Sequence, residues 1–329
     1  MTRIRTKLFS SAIALLVALV LVPGCAQPAP TEPFEGTLAI YHAGSLAVPF
    51  EDMATEFNKI YPNVNIERDS GRSRTEIRKI TELGKIADIL ASADYALIPD
   101  MMYPEFADWY IVFAHNKMVI AYTDTSKFAD EINKDNWHEV LTRDGVVYGH
   151  SDPNQDPCGY RTLMVWQLAE DYYKKPGLYA GLDIDDIRKN VTRPKSVDLI
   201  ALLESGDMDY AFEYLSVAKQ HDLKFVELPE EIDLSSVEFE DFYATAEVEV
   251  TGEEPGTMTT LTGMPIVYGL TIPKNASRPD LATAFLEFLL GKDGQVIMEN
   301  NGQPPIVPAV TDDKSKLPSK LRDLCVEAK

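Results

Sequence analysis

The stretch Gly36-Thr-Leu-Ala-Ile-Tyr-His42-Ala-Gly-Ser45 decides the fold. Gly36 to His42 reads as a buried strand, and Ser45 opens a helix whose Phe50, Met53, Ala54 and Phe57 recur at helical spacing. Pro49 falls in the first turn of that helix, where a missing N–H does no harm. Pro62 closes the helical segment, and Val64 to Glu67 forms a second short strand. After Asp69-Ser-Gly-Arg-Ser73, the run Ser73-Arg-Thr-Glu76 fits a capping box ahead of Ile77 and Ile80, on a helix ended by Gly84. Ile86 to Ser92 is the next buried strand. Strand, short loop, helix and strand in succession is the βαβ pattern of an open, mostly parallel α/β sheet.

Downstream, Trp109 to Thr123 reads as long strands able to cross into a second lobe, where a new βα series begins. It comprises a strand at Val146–His150, helices at Gly159–Tyr172 and Val197–Leu203, and a strand at Tyr210–Tyr214 running into Val217–His221. Pro265 to Ile272 is a strand that can return to the first lobe, followed by a helix with Leu281, Phe285, Phe288 and Leu289 on one face. The expected lobes are therefore 36–112 with 272–329, and 113–271. Open α/β sheets bind ligands beyond their strand C-termini, so two facing lobes make a cleft there.

Ahead of the fold, Arg3, Arg5 and Lys7 precede the apolar run Leu8–Val22, which marks residues 1–24 as an export leader. The run is short of the roughly 20 residues a spanning helix needs. Val22-Pro-Gly-Cys25 resembles a lipobox, with Cys25 as the lipidated residue after cleavage, and the Pro/Ala/Thr-rich residues 25–35 read as a tether. The mature chain is expected at the outer face of the cell membrane, held there by lipid.

Net charge is −21, and −24 once the three basic leader residues are gone. Such a surface argues against nucleic acid as a partner, and any bound anion must be held by local donors. Cys158 and Cys325 remain as thiols, too few to indicate a disulfide framework. Five histidines and these thiols, without C-x-x-C or H-x-x-x-H spacing, give no zinc signal. No cofactor is called for.

Two loops in lobe one put serine at a helix start after a strand: His42-Ala-Gly44-Ser45 and Asp69-Ser70-Gly-Arg-Ser73. Helix N-termini offer unpaired N–H donors and partial positive charge, and a hydroxyl there can cap the helix or turn to an oxyanion. Lobe two supplies the stiff loop Ser151-Asp152-Pro-Asn-Gln-Asp156-Pro157-Cys158-Gly159, whose end can aim Asp156 and two N–H groups at one point, or simply cap the helix. Glu213 lies in an otherwise apolar strand, where a carboxylate is costly unless it is paired or bound to a metal centre.

Tyr41-His-Ala-Gly-Ser-Leu46, Asp88-Ile-Leu-Ala-Ser-Ala-Asp-Tyr95, Asp156-Pro-Cys-Gly-Tyr-Arg161 and Tyr210-Ala-Phe-Glu-Tyr214 resemble segments of the archaeal tungstate/molybdate-binding proteins of ABC importers. The resemblance spans nearly the whole mature chain. It implies a two-lobed type II periplasmic-binding-protein fold, a monomer serving an ABC permease and its ATPase, and an oxyanion held by hydroxyls and backbone N–H groups. It further implies that Asp156 and Glu213 are direct metal ligands, with Ser45 and Ser73 as donors and Gly44, Pro157, Cys158 and Tyr214 around them. Asp152 and Ser70 are the rivals of Asp156 and Ser73. Competing readings are a site for sulfate or phosphate built from neutral donors, an exported enzyme using Cys158 near His150 as a thiol nucleophile, and an adhesion or signalling surface protein.

Replacing Cys25 by serine is expected to release the protein from the membrane fraction or leave its leader uncut; unchanged retention would refute the lipid anchor.

Overall fold

A computed structural model describes residues 34–328, apart from 185, 187 and 253–255. Cys25 and the leader lie outside the described residues. The chain begins with β1 (Glu35–Ala43), β2 (Asn63–Gly71), β3 (Ile89–Ser92) and β4 (Ile111–His115), then crosses to β5 (Met118–Tyr122). There follow β6 (Tyr148–Ser151), β7 (Asn190–Arg193), β8 (Tyr210–Tyr214) and β9 (Lys224–Glu227), and then the hairpin β10 (Glu247–Thr251) and β11 (Met258–Thr262). The chain returns through β12 (Val267–Thr271) and ends with β13 (Pro305–Thr311) and β14 (Cys325–Glu327).

Apart from the two-stranded hairpin, these strands make two sheets of seven and five strands with one shared plan. Lobe one runs β14-β13-β4-β12-β3-β1-β2 and lobe two β7-β6-β8-β5-β9. In each lobe the first strand lies between the second and the third, all parallel, and an antiparallel strand separates the third from the fourth. That antiparallel strand is the one arriving from the other lobe, β12 in lobe one and β5 in lobe two. This is the two-lobed type II arrangement. β4 and β12 pair along Ile111–His115 and Val267–Leu270, so the first sheet extends a few residues past the limits of 112 and 272 expected from sequence. Both strands remain in lobe one because each must pair with the other before the chain can leave.

Apolar spacing built the layers. Helix Ala47–Ile60 buries Phe50, Met53 and Phe57, and helix Pro279–Leu290 buries Leu281, Phe285 and Leu289 on the same side of the first sheet. Phe285 meets Phe57 edge-on at 5.2 Å and Phe50 at 6.3 Å. Pro279 starts its helix at a position where the fixed φ is an asset. In lobe two, Trp166 of helix Pro157–Tyr173 and Trp137 both meet Phe212 of β8 edge-on, at 5.4 and 5.7 Å.

The crossing is pinned by Asn116, which is buried. Its amide donates to the Ser216 hydroxyl (2.8 Å) and the Tyr268 hydroxyl (3.2 Å), while its oxygen accepts from Lys117 N–H. Helix Leu215–Gln220 of lobe two then rests on a turn of lobe one at Gly302, which has a φ of +75°. A Cβ at Gly302 would lie 2.7 Å from Ser216 Cα, so only glycine permits this approach.

Phe285→Ala removes the ring shared by both lobe-one helices and is expected to cost about 3–5 kcal/mol of stability, read as a lowered midpoint in denaturant.

Candidate functional site

Because the sheets share a plan, their strand exits face one cleft as two matching sets. The cleft holds about 890 Å³ and is lined in lobe one by Gly44 and Ser45 after β1, Ser73 after β2 and Ala93 after β3. Lobe two contributes Pro153 to Pro157 after β6 and Pro194 and Lys195 after β7. A buried histidine braces the first exit in each lobe. His42 Nδ1 donates to the Ala43 carbonyl (2.8 Å) with its ring against Phe50; His150 Nδ1 donates to the Ser151 carbonyl (2.7 Å) with its ring against Trp166. Burial lowers the pKa of both, so these braces are neutral.

In lobe one, Ser45 lies in a single turn of tighter helix, Gly44–Leu46, ahead of helix Ala47–Ile60. Its Oγ accepts from the Tyr268 hydroxyl (3.2 Å), and its carbonyl accepts from Gln303 Nε2 (2.9 Å). Ser73 is the first residue of helix Ser73–Thr81, and its Oγ accepts from Ala93 N–H (3.0 Å). The capping box is therefore not made: the Glu76 carboxylate turns to Lys79 (2.8 Å), and Ser73 spends its lone pair on the exit of β3. Ser70 lines a separate groove with His42, Arg68 and Glu51, which leaves Ser73 as the cleft serine of its loop.

In lobe two, Asp156 caps helix Pro157–Tyr173, with Pro157 at its first position. Its two oxygens serve two loops: Oδ1 accepts from Cys158 N–H (2.9 Å) and Oδ2 from Ser196 N–H (2.7 Å). Asp152 instead ties its own loop, accepting from Asn154 N–H (2.9 Å) and Gln155 Nε2 (2.6 Å). Gly159 packs this loop onto the helix, since a Cβ there would lie 2.3 Å from the Ser151 carbonyl oxygen. Asn154 is held in turn by the hairpin, its Oδ1 accepting from Thr251 N–H (2.9 Å).

Glu213 is fully buried at the end of β8, and neither carboxylate oxygen has a hydrogen-bond partner among the described residues. No cation pairs with it there either. Burial pushes its pKa up to about 8, and the charge of Asp156 pushes the same way. The nearby Ser196 hydroxyl and Tyr214 N–H oppose this without closing a bond to it. The two carboxyls thus sit close together, Asp156 at the cleft wall and Glu213 behind it.

Cys158 is buried and its thiol donates to the Phe212 carbonyl (3.6 Å), while burial raises its pKa well above that of a free thiol. A thiol so placed is a poor nucleophile. Tyr214 accepts a hydrogen bond from Arg161 Nη1 (2.5 Å). Reading the sequence did not find Ser196, Arg161, Tyr268 or Asn154. Only the strand order could have found Ser196, which stands after β7 as Ser73 stands after β2.

Residues 38–303 match the family model of bacterial extracellular solute-binding proteins. The chain belongs to that family. A solute-binding protein of Petrotoga mobilis is 52% identical over 89% of this chain and 91% of its own length. The molybdate/tungstate-binding protein WtpA of Pyrococcus abyssi is 43% identical, covering 91% of this chain and 93% of its own. The substrate-binding domain of a candidate molybdenum ABC transporter from Clostridium difficile has the same fold, with a TM-score of 0.57 at 22% identity over 82% of this chain and 99% of that one. As a family member, the chain is an extracytoplasmic binding protein that works with an ABC transporter, and it is not an enzyme. Among the described residues no helix is long and apolar enough to cross a membrane.

An orphan carboxyl leaves a signature in the unliganded protein. Its folded pKa of about 8 stands above the ordinary carboxylate value, so the folded state holds a proton that the unfolded chain has lost. Stability should fall as pH rises from about 4.5 to 8, by on the order of 5 kcal/mol at most. Glu213→Gln should remove most of that slope and be the more stable protein at pH 8. A variant less stable than the parent at both ends would show Glu213 to be structurally paired.

Proposed function

We propose that this binding protein captures tungstate or molybdate and delivers it to an ABC permease and its ATPase. Asp156 and Glu213 are direct ligands of the metal, the Ser45 and Ser73 hydroxyls hold its oxygens, and Gly44, Pro157, Cys158 and Tyr214 complete the wall. The protein acts as a monomer, held at the outer membrane face by lipid on Cys25.

Glu213 carries the reading: it is a carboxyl buried without a hydrogen-bond partner or a cation among the described residues, beside a second carboxyl. Such a pair repels sulfate and phosphate, whose central atoms take no further oxygen ligands. Hexavalent tungsten and molybdenum do accept hard oxygen donors, so for these ions alone the carboxylates become bonds. Support also comes from the 43% identity to a protein named for these ions. A tetrahedral oxyanion fills roughly 100 Å³, about three water volumes, far less than the cleft of about 890 Å³. Loading therefore brings the serines of lobe one onto the carboxylates of lobe two, a hinge closure about the Asn116 crossing.

Tungstate and molybdate, but not sulfate, are expected to raise the melting temperature, by about 2.7 kcal/mol of stabilisation at 100 times Kd. Because a bound metal needs Glu213 deprotonated, calorimetry in buffers of differing ionisation heat should show close to one proton released per ion at pH 7. Glu213→Gln and Asp156→Asn should each lose at least about a hundredfold in affinity, near 2.7 kcal/mol. Stabilisation by phosphate or sulfate in place of both metal oxyanions would overturn the reading.

A further inference from the structure

Arg161 is the opposite of Glu213, a half-buried cation with no acidic partner. It stands in the second turn of helix Pro157–Tyr173, and among the described residues no carboxylate lies within 4.0 Å of its guanidinium. Among the described residues its close partners are tyrosines. Nη1 donates to the Tyr214 hydroxyl, and the guanidinium sits 5.6 Å from the Tyr214 ring centre and 5.7 Å from that of Tyr160. Withdrawing a guanidinium from water without an anion is costly. Stacking on two ring faces recovers part of that cost.

The position of this charge is informative. Tyr214 follows Glu213 in β8, and Tyr160 lines the cleft beside Pro157. The charge also acts on Cys158 in lobe two and on Tyr268 and Asp94 in lobe one. Tyr268 in turn donates to Ser45 Oγ. Arg161 thus stands beside the lobe-two half of the site, fixed by Tyr160 and Tyr214, with its charge reaching Tyr268 and Asp94 of lobe one. The cations that line the cleft itself, Arg72, Arg74, Arg78 and Lys195, are exposed at the mouth, where solvent and salt screen them, whereas Arg161 stands half-buried behind Tyr160.

A dianion entering beside two carboxylates gathers four negative charges, and among the described residues the cations that line the cleft lie exposed at its mouth. We infer that Arg161 is the fixed counter-charge of the loaded site, a positioning residue held by Tyr160 and Tyr214 that retains the oxyanion without bonding the metal. The inference rests on the oxyanion reading above. It also explains why Arg161 and Glu213 do not pair: each is completed by a different part of the same cargo, Arg161 by its anionic oxygens and Glu213 by its metal.

The test compares Arg161→Lys, Arg161→Gln and Arg161→Met with the parent, measuring unliganded melting temperature and the kinetics of tungstate binding. Lysine keeps the charge, glutamine keeps a donor for Tyr214, and methionine keeps only the stem. A fixed interior charge acts after encounter, so the neutral variants should bind tungstate about ten- to a hundredfold more weakly, through faster dissociation with association little changed. Arg161→Lys should stay within about tenfold of the parent. Folded neutral variants that bind like the parent, or a folded Arg161→Lys as weak as Arg161→Met, would overturn the inference and leave the oxyanion reading standing. If the neutral variants do not fold, Arg161→Lys decides alone by the same tenfold limit. A parent protein that binds no tungstate would remove both.

Discussion

The site is organised around a carboxyl group buried without a hydrogen-bond partner or counter-ion among the described residues. Nothing in packing requires Glu213 at the end of β8, where every other residue but the half-buried Tyr214 is apolar or aromatic and buried. A leucine there would fill the space at no electrostatic cost. Two oxygens lie fully buried and unbonded, next to a second carboxyl that makes ionisation harder still. Under the proposed function, the bound metal is what completes such a group. The surrounding design is consistent with that. Asp156 is clamped by N–H groups from two loops, Gly159 lets the loop lie against its helix, and the hairpin holds the loop from outside through Asn154.

The frame that holds this arrangement is one plan used twice. Each lobe places its first strand centrally, so the exits of strands one, two and three converge, and each receives its antiparallel strand from the other lobe. The exchange of β5 and β12 makes the crossing part of both sheets. One amide, Asn116, then joins the crossing to the exit of β8 through Ser216 and to Ser45 through Tyr268.

Much of this was legible in the sequence because it rests on local periodicity. β8 is legible at its observed limits, since four apolar or aromatic residues and one acid in so short a run favour a buried strand. The helices around Phe57, Trp166 and Phe285 follow from apolar spacing, and the turn glycines and prolines marked the cleft loops. What escaped depends on partners distant in sequence. The Ser73 capping box failed because Ala93 N–H and Lys79 compete for its two members. The hairpin β10–β11 alternates exposed and buried residues along Glu247–Thr251, yet only its packing against helix Pro157–Tyr173, through Gln167 and Glu247, gives that alternation an inside. Arg161 looks like any surface arginine until Tyr214, 53 residues away, is seen to hold it.

The clamp on Asp156 has a further consequence. Its two oxygens staple the loop after β6 to the loop after β7, through Cys158 and Ser196. Under the proposed function, a metal bound to one of those oxygens would share it with an N–H, which the spare lone pairs of a carboxylate allow, and would draw on that side of the staple. The proposed ligand group is also a fastener, so filling the site would act on the loop that carries Pro194 and Lys195 at the rim of the cleft. A protein that has to announce whether it is carrying anything would then need no separate signalling element, because its cargo would pull on part of its own wall.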